Sequence, residues 1–344
     1  MSEIELKVAK REDAEEWNKL VDISSHGTIF HTWEWLKIVE KHTEGKLYPL
    51  IGYKGTEPVG IYPFFYIKKF GIKIALSPPP KVLMLYLGPA FAKYEKIKQD
   101  KKELLFINFQ QALDQFLEDL GCNYTRIRTP PGLIDSRPLK WAGYKVDPLY
   151  TYFIDLGKGL EYVWNNLTKS LRRSIEKAKK AGLIVEEGDK EDLEFVRVAM
   201  YNRFREMGSK VPKHYYKQYL ADIYDAFFPE HMKIFTAKYN NDKIGGIILL
   251  CYKHVASYWF GIPKINLKGI YPNDLIQWEA IKWAYGNGYR LYEEMDAGDD
   301  PRLRHFKAKF NPDLVPWYSA TKYSSVIYRL AEGAFNFIRR KGRT

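Results

Sequence analysis

Cysteine is nearly absent. Cys122 and Cys251 are the only two in 344 residues. They give no metal-ligand spacing and no disulfide framework, which fits a reducing compartment. The seven histidines are scattered, with no ligand pair at helical spacing. No Ser-His or Cys-His arrangement argues for a covalent enzyme intermediate. Long hydrophobic runs are missing too. The longest, Ile244 to Tyr252, falls far short of the roughly 20 residues of a membrane-spanning helix. The opening MSEIELKVAKRED is charged and polar, unlike a signal peptide. These absences point to a soluble, cytoplasmic protein. Low-complexity sequence is negligible, and Ser77-Pro-Pro-Pro80 reads as a stiff loop.

What is present is apolar and basic. Apolar residues make up 46% and aromatics 16%, enough for a large core and too much for global disorder. The length suits two or three domains. The net charge is +12, and the cations cluster. Lys169, Arg172, Arg173, Lys177, Lys179 and Lys180 form one group. Arg302, Arg304, Lys307 and Lys309 form a second, and Arg339 to Arg343 a third. Such clusters attract a cofactor phosphate, RNA or an anionic lipid surface; the competing reading is a solvated lysine-rich face.

One unit occurs twice along the chain. Tyr48 to Tyr66 and Met232 to Tyr252 each read as two strands joined by a turn, at Gly55–Pro58 and Asn240–Lys243. Each is followed by a helix that stops at a glycine and runs into a strand. The first helix lies within Lys101 to Leu120, ends at Gly121 and leads into Tyr124–Arg128. The second starts near Asn273, ends at Gly288 and leads into Arg290–Met295. An aromatic helix precedes each hairpin, at His31–Lys41 and Lys213–Ile223. Two related α/β domains follow from this order, with a join at Ile154–Gly159. Val163 to Gly182 has Trp164, Leu167, Leu171, Ile175 and Ala178 at helical spacing, predicting one helix with a basic outer surface.

The stretch from Tyr271 to Phe310 carries the strongest functional signal. It combines a helix N-terminus, a strand ending in acids and a basic segment. Unpaired N–H groups of a helix N-terminus suit an anion, which makes Gly269, Asn273 and Asp274 candidates for holding a donor phosphate. Gly269 is the only glycine there, so no glycine-rich loop is present. The alternative is an ordinary helix start capped by Asn273 or Asp274. Strand alternation puts Glu294 and Asp296 on one face and Glu293 on the other. Carboxylates so placed suit proton transfer with an amine, although Asp296 equally suits a cap for the turn at Ala297–Pro301.

Four stretches together resemble the Fem family of aminoacyl and acyl transferases, a branch of the GNAT superfamily. They are Trp164-x-x-Leu167-x-Lys169-Ser170-x-Arg172-x-x-Ile175-x-Lys177-Ala178-x-x-x-Gly182; Phe30-His-Thr-Trp-Glu-Trp35; Pro272-Asn273-Asp274-Leu275 with Gly288-Tyr289 and Asp296 downstream; and Leu303-x-x-Phe306-Lys307-x-x-Phe310. They span most of the chain in the family's order. The long coiled-coil insertion of some relatives is missing, since the basic helix runs directly into Leu183. The N-terminal segment reads Ile38-Val-Glu-Lys41, where relatives place a basic residue near the acceptor.

The resemblance implies an α/β (α+β) protein of two tandem GNAT-like acyltransferase domains, each a mixed, mostly antiparallel sheet flanked by helices. The expected division is 1–155, 156–325 with the donor site, and a basic tail at 326–344. The implied reaction is acyl or aminoacyl transfer to an amine by direct attack in a ternary complex. The donor is an aminoacyl-tRNA or an acyl-CoA-type thioester, and no tightly bound cofactor or metal is called for. The acceptor is an amine-bearing small molecule or peptide, such as a cell-envelope precursor. The resemblance selects Asp296 to orient or deprotonate the amine, with Glu294 beside it, and Lys307 to bind phosphate or steady the oxyanion. Arg172 joins the donor set. Trp35 and Tyr62, with Trp33, are expected to line an acceptor groove between the domains, and Tyr258 or Tyr292 to supply an acid to the leaving group. Packing competes for each aromatic. The tail is read as a helix packed on the second domain or lying on a membrane surface. The competing functional class is a non-catalytic binder of RNA or a lipid-linked precursor on a degenerate transferase fold.

Overall fold

A computed structural model describes residues 4–206, 208, 213–263, 267, 269–296, 298 and 300–324. The chain divides into two compact units. One holds Met1–Leu149 together with the chain from Pro316 onward, and the other Tyr150–Val315.

The first unit opens with strand β1 (Ile4–Val8), helix α1 (Ala14–Ile23) and helix α2 (Trp33–Lys41). Thr32 caps α2 by accepting the Trp35 N–H. The expected hairpin follows as β2 (Lys46–Lys54) and β3 (Glu57–Lys69), then β4 (Ile72–Ser77) and the short β5 (Ala90–Phe91). Helix α3 (Gln99–Asp119) crosses over to β6 (Tyr124–Arg128), which pairs parallel with β4. All other pairs in this unit are antiparallel. Gly121 ends α3 in the left-handed conformation at φ +68°, as its position past the last apolar residue predicts. A short helix α4 (Arg137–Trp141) closes the segment.

The second unit repeats the plan. Its elements are β7 (Lys145–Asp155), α5 (Leu160–Asn166), α6 (Lys169–Lys180), β8 (Ile184–Glu187), α7 (Lys190–Glu206), α8 (Lys213–Phe227), β9 (Met232–Tyr239), β10 (Asp242–Tyr252) and β11 (Val255–Pro263). Helix α9 (Pro272–Gly286) then crosses over to β12 (Leu291–Asp296), parallel to β11. Helix α10 (Pro301–Ala308) follows. The strand order is β7-β12-β11-β10-β9-β8. The core gathers Leu171 and Ile175 of α6, Ile247 and Leu249 of β10, and Ile276 and Ile281 of α9.

Two local expectations change. The helix foreseen over Val163–Gly182 is two helices. Leu167 is extended (ψ 145°) and Thr168 starts a new helix, its hydroxyl accepting the Leu171 N–H at 3.3 Å. A threonine after a buried leucine offers a cap inside an apolar period that reads as continuous. The second domain is expected to run to residue 325, yet strand β13 (Asp313–Tyr323) pairs antiparallel, through Ser319–Tyr323, with β6 of the first unit. Strand periodicity says which face is buried and not which partner is chosen. The tail at 326–344 lies outside the described residues. No helix among the described residues is long and apolar enough to cross a membrane.

Candidate active site

Strand β12 is where the second unit departs from a plain strand. Tyr292, Glu293, Glu294 and Met295 are all buried. Met295 has φ +54°. Glu293 pairs with Phe153 and Asp296 with Thr151, so β12 spends one residue more than β7. This bulge breaks the period of two. Glu294 and Asp296 therefore do not share a face, contrary to the alternation rule. Asp296 is exposed, and its carboxylate accepts the Gly298 N–H at 2.7 Å. That contact is the turn cap, a short Asp side chain reaching the backbone two residues on. Its carbonyl is the part that faces inward, accepting from Lys307 Nζ at 2.7 Å.

The two glutamates are buried in different ways. Glu293 is satisfied: Ser257 Oγ donates to Oε2 at 2.9 Å and Thr151 Oγ1 lies 2.9 Å from Oε1. Glu294 is fully buried. Gln277 Nε2, from α9, donates to its Oε2 at 2.6 Å. No described protein group hydrogen-bonds to its Oε1. Burial pushes the Glu294 carboxyl up to about 7, against the pull of the Lys307 ammonium and the Gln277 hydrogen bond.

Lys307, on α10, is 5% exposed. Its ammonium lies 5.7 Å from the centre of the Tyr258 ring. Burial lowers its affinity for the proton, while Glu294 first and then Asp296 and Glu293 restore part of it. Tyr258 is half-buried, and its hydroxyl donates to the Gly261 carbonyl at 3.2 Å. Tyr292 is fully buried, and its hydroxyl has no described partner. Burial, and then the Glu294 charge, push both phenols above their ordinary range. Glu294, Lys307, Tyr258 and Tyr292 thus form one coupled cluster.

The expected donor residues gather near the start of α9. Gly269 turns with φ +73°, and a side chain there would meet Lys177 Nζ at 2.9 Å. Lys177 and Arg172 share a groove of about 560 Å³ with Lys169, Arg173, Glu176 and Lys180, all on α6. Asn273 and Asp274 do not cap α9; that place falls to Tyr271. Asp274 is buried and takes Lys309 Nζ on Oδ1 at 3.3 Å. An acid already occupies the first turn of α9, whereas the cations lie on α6, where Lys177 faces Gly269.

Trp35 and Tyr62 correct another expectation. Both are 0% exposed within the first unit. Trp35 packs edge-on against Phe30 at 5.0 Å, and Tyr62 donates to Gln110 Oε1 at 3.2 Å. They have no surface with which to line an acceptor groove. Trp33 packs edge-on against Trp17 at 6.1 Å. The large apolar side chain that suits a binding cleft suits a core equally well.

Residues 165–307 match the family profile of the acetyltransferase (GNAT) domain, a span that includes α6, α9, β12 and Lys307. The fold is similar to the crystal structure of FemX, with a TM-score of 0.69 at 14% identity over 91% of this chain and 96% of that one. Residues 165–307 thus form a GNAT-type domain, and the chain as a whole has a Fem-like fold. The C-terminal domain of a putative lysylphosphatidylglycerol synthetase from Agrobacterium fabrum is also similar, with a TM-score of 0.57 and 14% identity over 95% of both chains. So is a tandem GNAT protein from the clavulanic acid biosynthesis pathway, with a TM-score of 0.57 and 10% identity over 94% of this chain and 99% of that one. No curated protein matches by sequence. Two GNAT-like units in tandem are thus the architecture. Sequence reasoning missed Gln277. The available signal was one uncharged polar residue between Ile276 and Trp278 on a helix whose neighbouring positions are apolar.

Proposed function

We propose that the protein is an N-acyltransferase whose proton-handling pair is Glu294 and Lys307. The observation that carries this reading is a buried carboxylate, poised near neutrality, with one oxygen open and a buried lysine coupled to it. Near pH 7 such a carboxylate is part ionised, the state a general base requires. The acceptor amine attacks the acyl carbonyl, a C–N bond forms and the carbonyl oxygen becomes an oxyanion. Glu294 Oε1 takes the amine proton. The Lys307 ammonium steadies the oxyanion, a contribution of several kcal/mol in sites of this kind. The oxyanion then collapses, the bond to the carrier breaks, and Glu294 returns the proton to the leaving oxygen or sulfur. Attack is direct, with no acyl-enzyme.

The donor reading is aminoacyl-tRNA. Lys169, Arg172, Arg173, Lys177 and Lys180 form one stripe on α6. From Lys169 to Lys180, twelve residues of helix, it extends over about 16 Å, longer than a single pyrophosphate occupies. The acceptor is an amine-bearing small molecule or peptide.

The test incubates the full chain with labelled aminoacyl-tRNA and, separately, labelled acyl-CoA, each with an amine-bearing cell extract. Transfer from aminoacyl-tRNA, lost in Glu294→Gln and Lys307→Ala, is the expected result. Transfer from acyl-CoA alone overturns the donor. Ligand binding with no transfer from either overturns the enzyme reading in favour of a binding protein.

A further inference from the structure

Glu294 has two oxygens in unlike surroundings, and the difference comes from one residue. Gln277 is 1% exposed, on a stretch of α9 where Leu275, Ile276 and Trp278 are buried too. A buried amide in such a place loses water and requires partners. Its Nε2 donates to Glu294 Oε2 at 2.6 Å, and Oε1 is left without a described protein donor. An oxygen that already accepts a hydrogen bond along this line is the poorer place for a proton.

We propose that Gln277 is a positioning residue that pins Glu294 Oε2 and so makes Oε1 the oxygen that takes and returns the proton. The inference rests on the acyl-transfer reading for its role in turnover, but its geometry stands without it. The groups facing Glu294 are Lys307 from α10, Tyr258 from β11 and Tyr292 from its own strand; Glu293 points to the other face and is bonded there. Among these, Gln277 supplies a directional bond to one chosen oxygen. Lys307 spends a hydrogen on the Asp296 carbonyl and acts on Glu294 through its charge. Without Gln277 the two oxygens become alike, and the carboxylate is free to rotate. Gln277 also favours the ionised form, because a donor to a carboxylate stabilises the charge.

The experiment is a pH titration of the Glu294 carboxyl by carbon NMR on the full chain with labelled glutamate. The resonance is assigned by its loss in Glu294→Gln. Wild type is compared with Gln277→Met, which nearly keeps the volume and removes the donor. The Glu294 midpoint should rise by about one pH unit, and in turnover the pH at which kcat/KM rises should follow it. A second variant, Gln277→Asn, keeps the amide but withdraws it, and should fall between the two. It decides the matter if the Met variant does not fold. A midpoint that stays in place in the variant that folds overturns the proposal. A midpoint that moves down also overturns it, since Gln277 would then be accepting a proton from a neutral Glu294. Failure to find transfer with any donor removes the acyl-transfer reading alone, because the titration needs no turnover.

Discussion

Each unit crosses from one parallel strand to the next through a helix, and each crossover helix buries one glutamine: Gln110 in α3, Gln277 in α9. The two glutamines sit in different networks. Gln110 Oε1 accepts from Tyr62 and its Nε2 donates to Asp114 Oδ1 at 2.9 Å. Tyr144 donates to the same oxygen at 2.7 Å, and Lys322 of β13 donates to Oδ2 at 2.7 Å. That network is closed, both of its carboxylate oxygens being taken. Around Gln277 the network stays open at Glu294 Oε1 and the Tyr292 hydroxyl. The strands differ likewise. β6 alternates, burying Thr125 and Ile127, while β12 buries four residues in a row. A closed buried network fixes structure, whereas an open one leaves polar atoms unsatisfied at a cost, and the proposed proton transfer would give that cost a use.

The largest test of this contrast is removal of the charged pair. Glu294→Gln should lower kcat/KM by about a hundredfold or more, the scale of a lost general base. Lys307→Ala should lower it by a similar factor. It should also destabilise the fold by about 3 kcal/mol, because Glu294 loses its buried counter-charge. Equal activity of both variants and wild type in a transfer assay would break the comparison at its functional end. The opposite change is Asp114→Ala in the first unit. It strands Tyr144 and Lys322 and should cost about 1–3 kcal/mol in urea unfolding, with kcat/KM of the folded protein unaltered.

The pH dependence of stability comes next. Glu294 holds its proton up to about pH 7 in the folded chain, against an ordinary value of 4.5. Below pH 4.5 both states are protonated and its contribution is fully present. Between those values the folded state binds the extra proton, so stability falls as pH rises. The loss, on the order of 3 kcal/mol, is complete above pH 7. Glu294→Gln should flatten this slope in denaturant midpoints taken from pH 4 to 8. A wild-type slope of opposite sign would mean that Lys307 keeps Glu294 ionised throughout.

How much of this was legible beforehand follows from the range of each signal. The hairpins, both crossover helices and their glycine stops were readable, because period and turn chemistry act over a few residues. Lys307 and Glu294 were singled out, but Asp296 stood beside them until the bulge at Met295 put it outside. A bulge is set by the partner strand and leaves no mark in alternation. The pairing of β13 with β6 joins residues almost two hundred positions apart, beyond any local pattern. Trp35 and Tyr62 were misplaced for a simpler reason: aromatic character does not say whether a side chain faces a ligand or the core. Gln277 was hidden because its meaning lies in the oxygen it meets.

The smallest expected difference separates the two glycine stops. Gly121 and Gly288 both adopt left-handed φ, +68° and +80°, where a Cβ costs about 1 kcal/mol or more. Gly288 has nothing within 4 Å of an added Cβ, whereas at Gly121 the Lys73 ammonium would lie 2.8 Å away. That ammonium donates to the Leu120 carbonyl at 2.9 Å, one of the last carbonyls of α3. A methyl at Gly121 adds the loss of this bond to the backbone cost, so Gly121→Ala should destabilise by roughly 1 kcal/mol more than Gly288→Ala. Adding Lys73→Met to both variants should erase most of the gap. If the gap persists in that background, the lysine is not what distinguishes the two helix ends.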